Sequence, residues 1–268
     1  MAYTEVLHET GDYLRVHIHP CYRKGEQRGI RKRATTAAQK YLNDRNAKNR
    51  FTDTVHLNFT ASDIAVRLDY QKFLKRNRRN PTPEEAKRIM RNYLLRLKRI
   101  YAACGRELKY IYVTEIGKVG GNVHHHLIVN GISDRDSIEQ CWTEGYGNTR
   151  RLQFSEKGVA GLAHYMSKDP MTKKMWYGSR NLIKPTAEGK HPNIRSNSYR
   201  LTARQVHYVY NNPDDTNEIR KLYPGYEVAE VECSNMVDEE TGEVFPNPYG
   251  IFITLYLYRS DTKLFCRA

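Results

Sequence analysis

No G-x-x-x-x-G-K-[ST] phosphate loop occurs anywhere in the 268 residues. The chain therefore carries no nucleotide hydrolase of the Walker type, and separating duplex strands would fall to a partner. Apolar runs are short, none approaching the roughly 20 residues that a membrane-spanning helix needs. The N-terminal stretch MAYTEVLHET also lacks the pattern of a signal peptide. The expectation is a soluble, cytoplasmic protein with no membrane partner. Cysteine is scarce and scattered: Cys21, Cys104, Cys141, Cys233 and Cys266 form no C-x-x-C pair. That spacing argues against a cysteine-bound zinc or a dithiol redox site, and reads as reduced thiols that serve packing. Acidic residues are in deficit, 30 Asp+Glu against 44 Lys+Arg, which leaves a net charge of +14. An excess of that size points to a polyanionic partner, nucleic acid first.

A chain of this length holds one full core with additions. The expected division is a basic N-terminal arm over 1–57, a core over 58–170, and a C-terminal accessory region over 171–268 whose first part is basic. In the arm, a short alternating stretch from Tyr13 to His19 precedes YRKGEQRGIRKR, dense in cations and poor in apolar residues. It reads as flexible, with Arg23, Lys24, Arg31, Lys32 and Arg33 as DNA contacts. Two strand-like runs follow, TVHLNF and IAVRLDY. In the second, Ile64, Val66, Leu68 and Tyr70 alternate with Ala65, Arg67 and Asp69, the pattern of a half-buried strand. Strand one is placed at 63–70, with TVHLNFT as its rival, and QKFLKRNRRN is read as a basic linker.

The clearest helix begins after Thr82, where Thr82 can cap, Pro83 suits the first helical position and Glu85 completes a capping box. Its apolar face runs Ala86, Ile89, Met90, Tyr93, Leu94, Leu97, Ile100 and Tyr101, and Gly105 is placed to end it. KYIYVTE and HHHLIVN flank the loop IGKVGGNV and read as a β-hairpin. A helix near 134–143, a strand near 149–154 and a helix near 158–168 complete the order β-α-β-β-α-β-α. The expected fold class is thus α+β, a ferredoxin-like or RRM-like antiparallel sheet with N- and C-terminal extensions. In the tail, YGIFITLYLYR can add a strand.

The most informative segment is GNVHHHLIVNG. Side chains alternate along a strand, so His124 and His126 share one face while His125 points the other way. Two imidazoles on one face can chelate a divalent ion. A turn centred on Val119-Gly120 puts Glu115 opposite His124, and one centred on Gly120-Gly121 puts it opposite His126. Either register brings the carboxylate to the histidine face, giving a His₂-carboxylate set with positions left for a phosphate oxygen. The other H-x-H, His17-Ile18-His19, is followed by Pro20 and the basic arm and reads as a chance occurrence. In GLAHYMSKDP, Tyr165 and Lys168 are three apart on an expected helix and share a face. A phenol, with a pKa of about 10, becomes a useful nucleophile when a neighbouring cation such as Lys168 favours the phenolate.

Taken together, HHH and Y-x-x-K resemble the HUH endonucleases, the rolling-circle replication initiators of bacterial plasmids, phages and integrative elements, over residues 58–184. In that family the metal sits on His-hydrophobe-His, matched here by His124 and His126, although His125 fills the hydrophobe position. A carboxylate on the preceding strand matches Glu115, with Asp169 as a rival. The nucleophile follows the histidines, as Tyr165 does. The family's first motif alternates threonines, where this chain has Arg67 and Asp69. The resemblance implies nicking and joining of single-stranded or hairpin origin DNA through a 5′-phosphotyrosine, with Mg²⁺ or Mn²⁺ as cofactor and a host helicase and DNA polymerase as partners. It also implies DNA contacts in WYGSRNLIKP and the cations before it: Lys173, Lys174, Trp176 and Arg180. Two alternatives share parts of the pattern. A single-tyrosine transposase would use the same chemistry, and an RNA-binding module of the same sheet topology would stack bases on Tyr110 and Tyr112.

Overall fold

The computed structural model describes residues 2–21, 37–117, 121–132, 135–160, 171, 175–189, 192–237, 244–246 and 250–262. Along the chain come strands β1 (Tyr3–Thr10) and β2 (Tyr13–Pro20), helix α1 (Ala37–Asn58), β3 (Ile64–Asp69), helices α2 (Gln71–Asn77) and α3 (Pro83–Ala103), and then β4 (Tyr110–Ile116) and β5 (Val123–Val129). They are followed by α4 (Asp136–Gln140), β6 (Gly147–Arg151), β7 (Tyr177–Gly178), β8 (Ile194–Ser198), α5 (Ala203–Asn211), α6 (Thr216–Leu222), β9 (Tyr226–Cys233), β10 (Asn235–Val237), β11 (Val244–Pro246) and β12 (Ile253–Arg259). The chain divides into two compact units. A terminal unit combines Met1–Asp44, Ser155–Gly158 and Pro185–Ala268, and a central unit combines Arg45–Phe154 with Val159–Lys184. These boundaries differ from 1–57, 58–170 and 171–268 because the two ends of the chain pair in one sheet, with β12 lying beside β2.

The central unit is built on a five-stranded antiparallel sheet in the order β6-β3-β5-β4-β7. Mixed α+β structure with antiparallel sheets is consistent with a ferredoxin-like core; α2 and β7 are additions, and the expected helix at 158–168 lies outside the described residues after Ala160. One face of the sheet presents Ile64, Val66, Leu68, Leu127 and Val129 to helix α3, whose Met90, Tyr93, Leu97 and Tyr101 are fully buried against them. The α3 start is as the sequence specifies. Thr82 Oγ1 accepts the Glu85 backbone N–H at 3.2 Å, and Glu85 Oε2 accepts that of Thr82 at 2.8 Å.

Two sequence expectations change in this unit. TVHLNF, the rival for strand one, forms the end of helix α1 up to Asn58, leaving IAVRLD as the central strand β3. Its β-branched residues favour a strand locally. Here Thr52 and Thr54 instead donate their hydroxyls back to the Lys48 and Arg50 carbonyls, at 3.1 and 2.7 Å, and Phe51 and Val55 are buried. The run QKFLKRNRRN is not a plain linker: Gln71–Asn77 is helical, with Phe73 buried beneath it. The remaining core elements lie close to expectation, with β6 at Gly147–Arg151 rather than 149–154 and α4 shortened to Asp136–Gln140.

The terminal unit holds the other five-stranded antiparallel sheet, in the order β8-β1-β2-β12-β9. The alternating stretch Tyr13–His19 is thus a strand in mid-sheet, and YGIFITLYLYR supplies its neighbour β12. Val16, Ile18, Leu255 and Leu257 face Val206, Val209 and Ile219 of the two helices that follow β8. In that apolar layer sits one carboxylate, Glu5, 1 % exposed. Arg200 Nη2 and Tyr223 OH each donate to its Oε2 at 2.6 Å, Asn197 donates to Oε1 at 3.1 Å, and Arg200 Nε donates to Oε1 as well. Burial works to raise the Glu5 carboxyl, but the bonds from Arg200, Tyr223 and Asn197 and the Arg200 charge outweigh it and hold the group below the usual carboxylate range. Removing one member of a buried charged set leaves the others uncompensated, so Glu5→Ala is expected to cost about 3 kcal/mol, read as a lower urea midpoint at unchanged slope. Because its folded pKa is depressed, the contribution of Glu5 is present above the unfolded value of about 4.3 and is lost as pH falls through the folded one. A cost below about 1 kcal/mol would show that the cluster is ordinary surface pairing.

Candidate metal centre

The sheet face opposite α3 is split along its length. Ala65, Ile111, Val113 and Ile128 form an apolar half covered by Phe51, Val55, Phe59, Leu152, Val159 and Leu182. The other half is polar, and β-pairing sets its layout: Glu115 lies opposite His124, which lies opposite Asp69, while Val113, His126, Arg67 and Asn148 form the adjacent row. Of the two hairpin registers open to the sequence, the one pairing Glu115 with His124 is realised; the Gly117 N–H bonds to the Asn122 carbonyl at 2.8 Å as the hairpin closes.

Both histidines converge on one oxygen. His124 Nε2 lies 3.1 Å and His126 Nε2 3.4 Å from Glu115 Oε2, and the two rings meet edge-on with centroids 5.0 Å apart. Glu115 and His126 are buried, and His124 is partly exposed. Among the described residues this is the one trio of His, Cys, Asp or Glu whose ligand atoms all lie within 4.8 Å of one another. The set is capable of holding a divalent metal, and three observations fit such an ion. Glu115 Oε1 is buried with no hydrogen-bond partner. His124 Nδ1 lies 3.3 Å from the Asn122 carbonyl; in the tautomer that donates there, the Nε2 lone pair faces the carboxylate, an arrangement a cation relieves. The protonation states are also suitable. Burial tends to raise the Glu115 carboxyl, but hydrogen bonds and charge from His124 and His126 hold it at about 2, while burial lowers His126 and keeps it neutral. An ionised carboxylate beside a neutral imidazole is what a metal requires.

His125 takes the opposite course, as strand alternation demands. It is fully buried beneath the sheet, with Nε2 2.7 Å from Tyr70 OH and Nδ1 2.8 Å from Thr114 Oγ1. Burial, and then the neighbouring His124 and His126, push its pKa down to about 3, so it remains a neutral link. The sequence singles out the hydrophobe position but gives no sign that Tyr70 and Thr114 satisfy a polar ring there. Arg67 and Asn148, misfits or silent in the sequence, are exposed on the metal face beside His126. Only their pairing with the histidine strand reveals this.

The other candidates fall elsewhere. Tyr165, Lys168, Asp169, Arg23, Lys24, Arg31, Lys32, Arg33, Lys173 and Lys174 lie outside the described residues. Trp176 packs edge-on against Phe51, centroids 6.0 Å apart, on the apolar half of the face, and Arg180 is exposed. In the terminal unit both His17 nitrogens are engaged, by Arg15 Nε and Thr254 Oγ1 at 3.1 Å each, and His19 bonds the Pro20 carbonyl. Tyr110 and Tyr112 lie on the helix-covered face, with Tyr112 buried and stacked on Tyr177 at 5.3 Å. Neither ring is displayed for bases, which removes the basis of the RNA-binding alternative. Cys21, Cys104, Cys141 and Cys233 are free thiols. No helix among the described residues is long and apolar enough to cross a membrane.

Residues 63–170 match a family model for replication-associated proteins of the ORF2 type. The match includes Glu115, His124 and His126 and covers less than half of the 268 residues. Neither a curated protein nor a solved structure matches the chain. Over its central unit the chain is therefore similar to Rep-type replication proteins and carries a cluster suited to metal-dependent activity.

Proposed function

We propose that this protein nicks and rejoins single-stranded DNA to initiate rolling-circle replication, using Tyr165 as nucleophile at the Glu115–His124–His126 centre. The observation that carries the reading is that cluster, set on a polar sheet face within the stretch that matches the replication-associated family. A divalent ion there, Mg²⁺ or Mn²⁺, would polarise the scissile phosphate and stabilise charge in the transition state. The chain's own residues do the rest. The Tyr165 oxygen forms a bond to phosphorus as the bond to the upstream 3′-oxygen breaks; the phenol proton leaves, and the 3′-oxygen departs as a hydroxyl able to prime a polymerase. Lys168 favours the phenolate or holds the phosphate.

The points where the chain is fixed on either side of Tyr165 support the assignment. Val159 is buried on the metal-bearing side of the sheet with its N–H bonded to His56 Nε2, and the Met171 N–H bonds to the Thr114 carbonyl, one residue from Glu115. Tyr165 is six residues from each anchor, within about 20 Å of chain. The +14 charge supplies the attraction for a polyanion. Incubation with a random pool of single strands plus Mn²⁺, followed by sequencing of covalent adducts, tests the reading. A common junction sequence among the adducts is expected, and no adduct under any metal would overturn it.

A further inference from the structure

Beside the metal cluster, a cavity of about 250 Å³ opens in the central unit, with His124 in its wall. Ligand pockets for larger molecules run about 300–1,000 Å³, so this one suits a fragment the size of a single base. Tyr146 lines it with 61 % of its surface exposed, and Lys72 lies 5.4 Å from the ring centroid. An exposed tyrosine is commonplace, but this one has a fixed backbone. Its N–H donates to Asp69 Oδ1 at 2.9 Å and its carbonyl accepts from the Asp69 N–H at 3.0 Å. The preceding Gly145 is pressed so closely on Asp69 that a Cβ there would meet Asp69 O at 2.1 Å and Oδ1 at 2.2 Å. A ring held in place yet left bare can stack on a partner with little ordering cost.

The rest of the lining is amide-rich. Asn80 is committed to the hairpin, donating to the Gly121 carbonyl at 3.1 Å, whereas the side chains of Gln71, Asn122 and Asn148 make no hydrogen bond among the described residues. Each amide offers both donor and acceptor, which suits the mixed edge of a base. Asp69, the acidic group in the wall, turns Oδ1 to the backbone N–H groups of Gln71 and Tyr146. Arg67 in the wall and Lys72 beside the ring supply charge for flanking phosphates.

We infer that this cavity receives one unpaired base of the bound strand, stacked on Tyr146 and read at its edge by Gln71, Asn122 and Asn148. This rests on the single-strand nicking reading and names its specificity pocket. The test is anisotropy in EDTA with labelled oligo(dT), oligo(dA) and an abasic sugar-phosphate strand of equal length. Tyr146→Ala is expected to weaken binding of the base-bearing strands roughly ten- to a hundred-fold and to leave the abasic strand unchanged, while Tyr146→Phe binds like wild type. Unchanged affinity for oligo(dT) and oligo(dA), or an equal loss on the abasic strand, overturns the pocket. Adduct formation by wild type is scored separately with Mn²⁺. Adducts without a Tyr146 effect overturn the pocket and leave the nicking reading standing; a base-specific Tyr146 effect without adducts does the reverse. A wild-type protein that binds no single strand overturns both.

Discussion

Tyr165→Phe is expected to eliminate the covalent protein–DNA adduct while leaving single-strand binding intact. The substitution removes one oxygen and no other heavy atom, so the loss falls on bond formation to phosphorus. Nucleophile removal in enzymes of this kind of chemistry costs on the order of a thousand-fold or more, and here it should take the adduct below detection. Were a metal-activated water the nucleophile, Tyr165→Phe would still cut and the wild type would show no adduct. Polarity gives a stricter check on a denaturing gel of end-labelled strands. Label downstream of the nick must travel with the protein, as a 5′-phosphotyrosine requires, and label upstream must be released; the opposite result would sink the proposal even with Tyr165 essential. Lys168→Ala should show a smaller defect that recovers as pH rises, because free phenolate then becomes abundant without help from the cation. A defect constant with pH would assign Lys168 to phosphate binding instead.

The second large effect belongs to the metal centre. His124→Ala or His126→Ala is expected to lower Mn²⁺ affinity and cleavage at least about 100-fold, since losing even a supporting partner of a metal ligand typically costs 10- to 100-fold. Glu115→Ala should be milder and partly restored by high Mn²⁺, because two imidazoles on one face still chelate. Binding is measurable without cleavage: an ion that binds only the folded protein at 100 times its dissociation constant stabilises by about 2.7 kcal/mol, so Mn²⁺ should raise the melting temperature of wild type and not of the histidine variants. His17→Ala serves as the control, its ring being tied to Arg15 and Thr254 in the terminal unit. A metal-induced shift preserved in His124→Ala and His126→Ala but absent in His17→Ala would move the site.

The sequence by itself determined the parts of this protein written in short-range pattern. Helix α3 was legible because its cap, its first-turn proline and its apolar face all lie within one segment. The histidine face was legible because strand alternation is local: His124 and His126 must share a side, and Glu115 reaches that side in either hairpin register. Tertiary structure alone decided the rest, because those choices depend on partners distant in sequence. It chose the register, and it turned TVHLNF from a strand-like run into helix, since burial of Phe51 and Val55 against the sheet outweighs a local preference worth at most about 1 kcal/mol across the whole scale. It gave His125 its partners Tyr70 and Thr114, respectively 55 and 11 residues away. It brought Arg67, Tyr146 and Asn148 to the side of His124, and it joined the first strands to the last in one sheet. Period-two and period-3.6 patterns tell which way a side chain faces along its own element, but carry no information about which strand lies beside it.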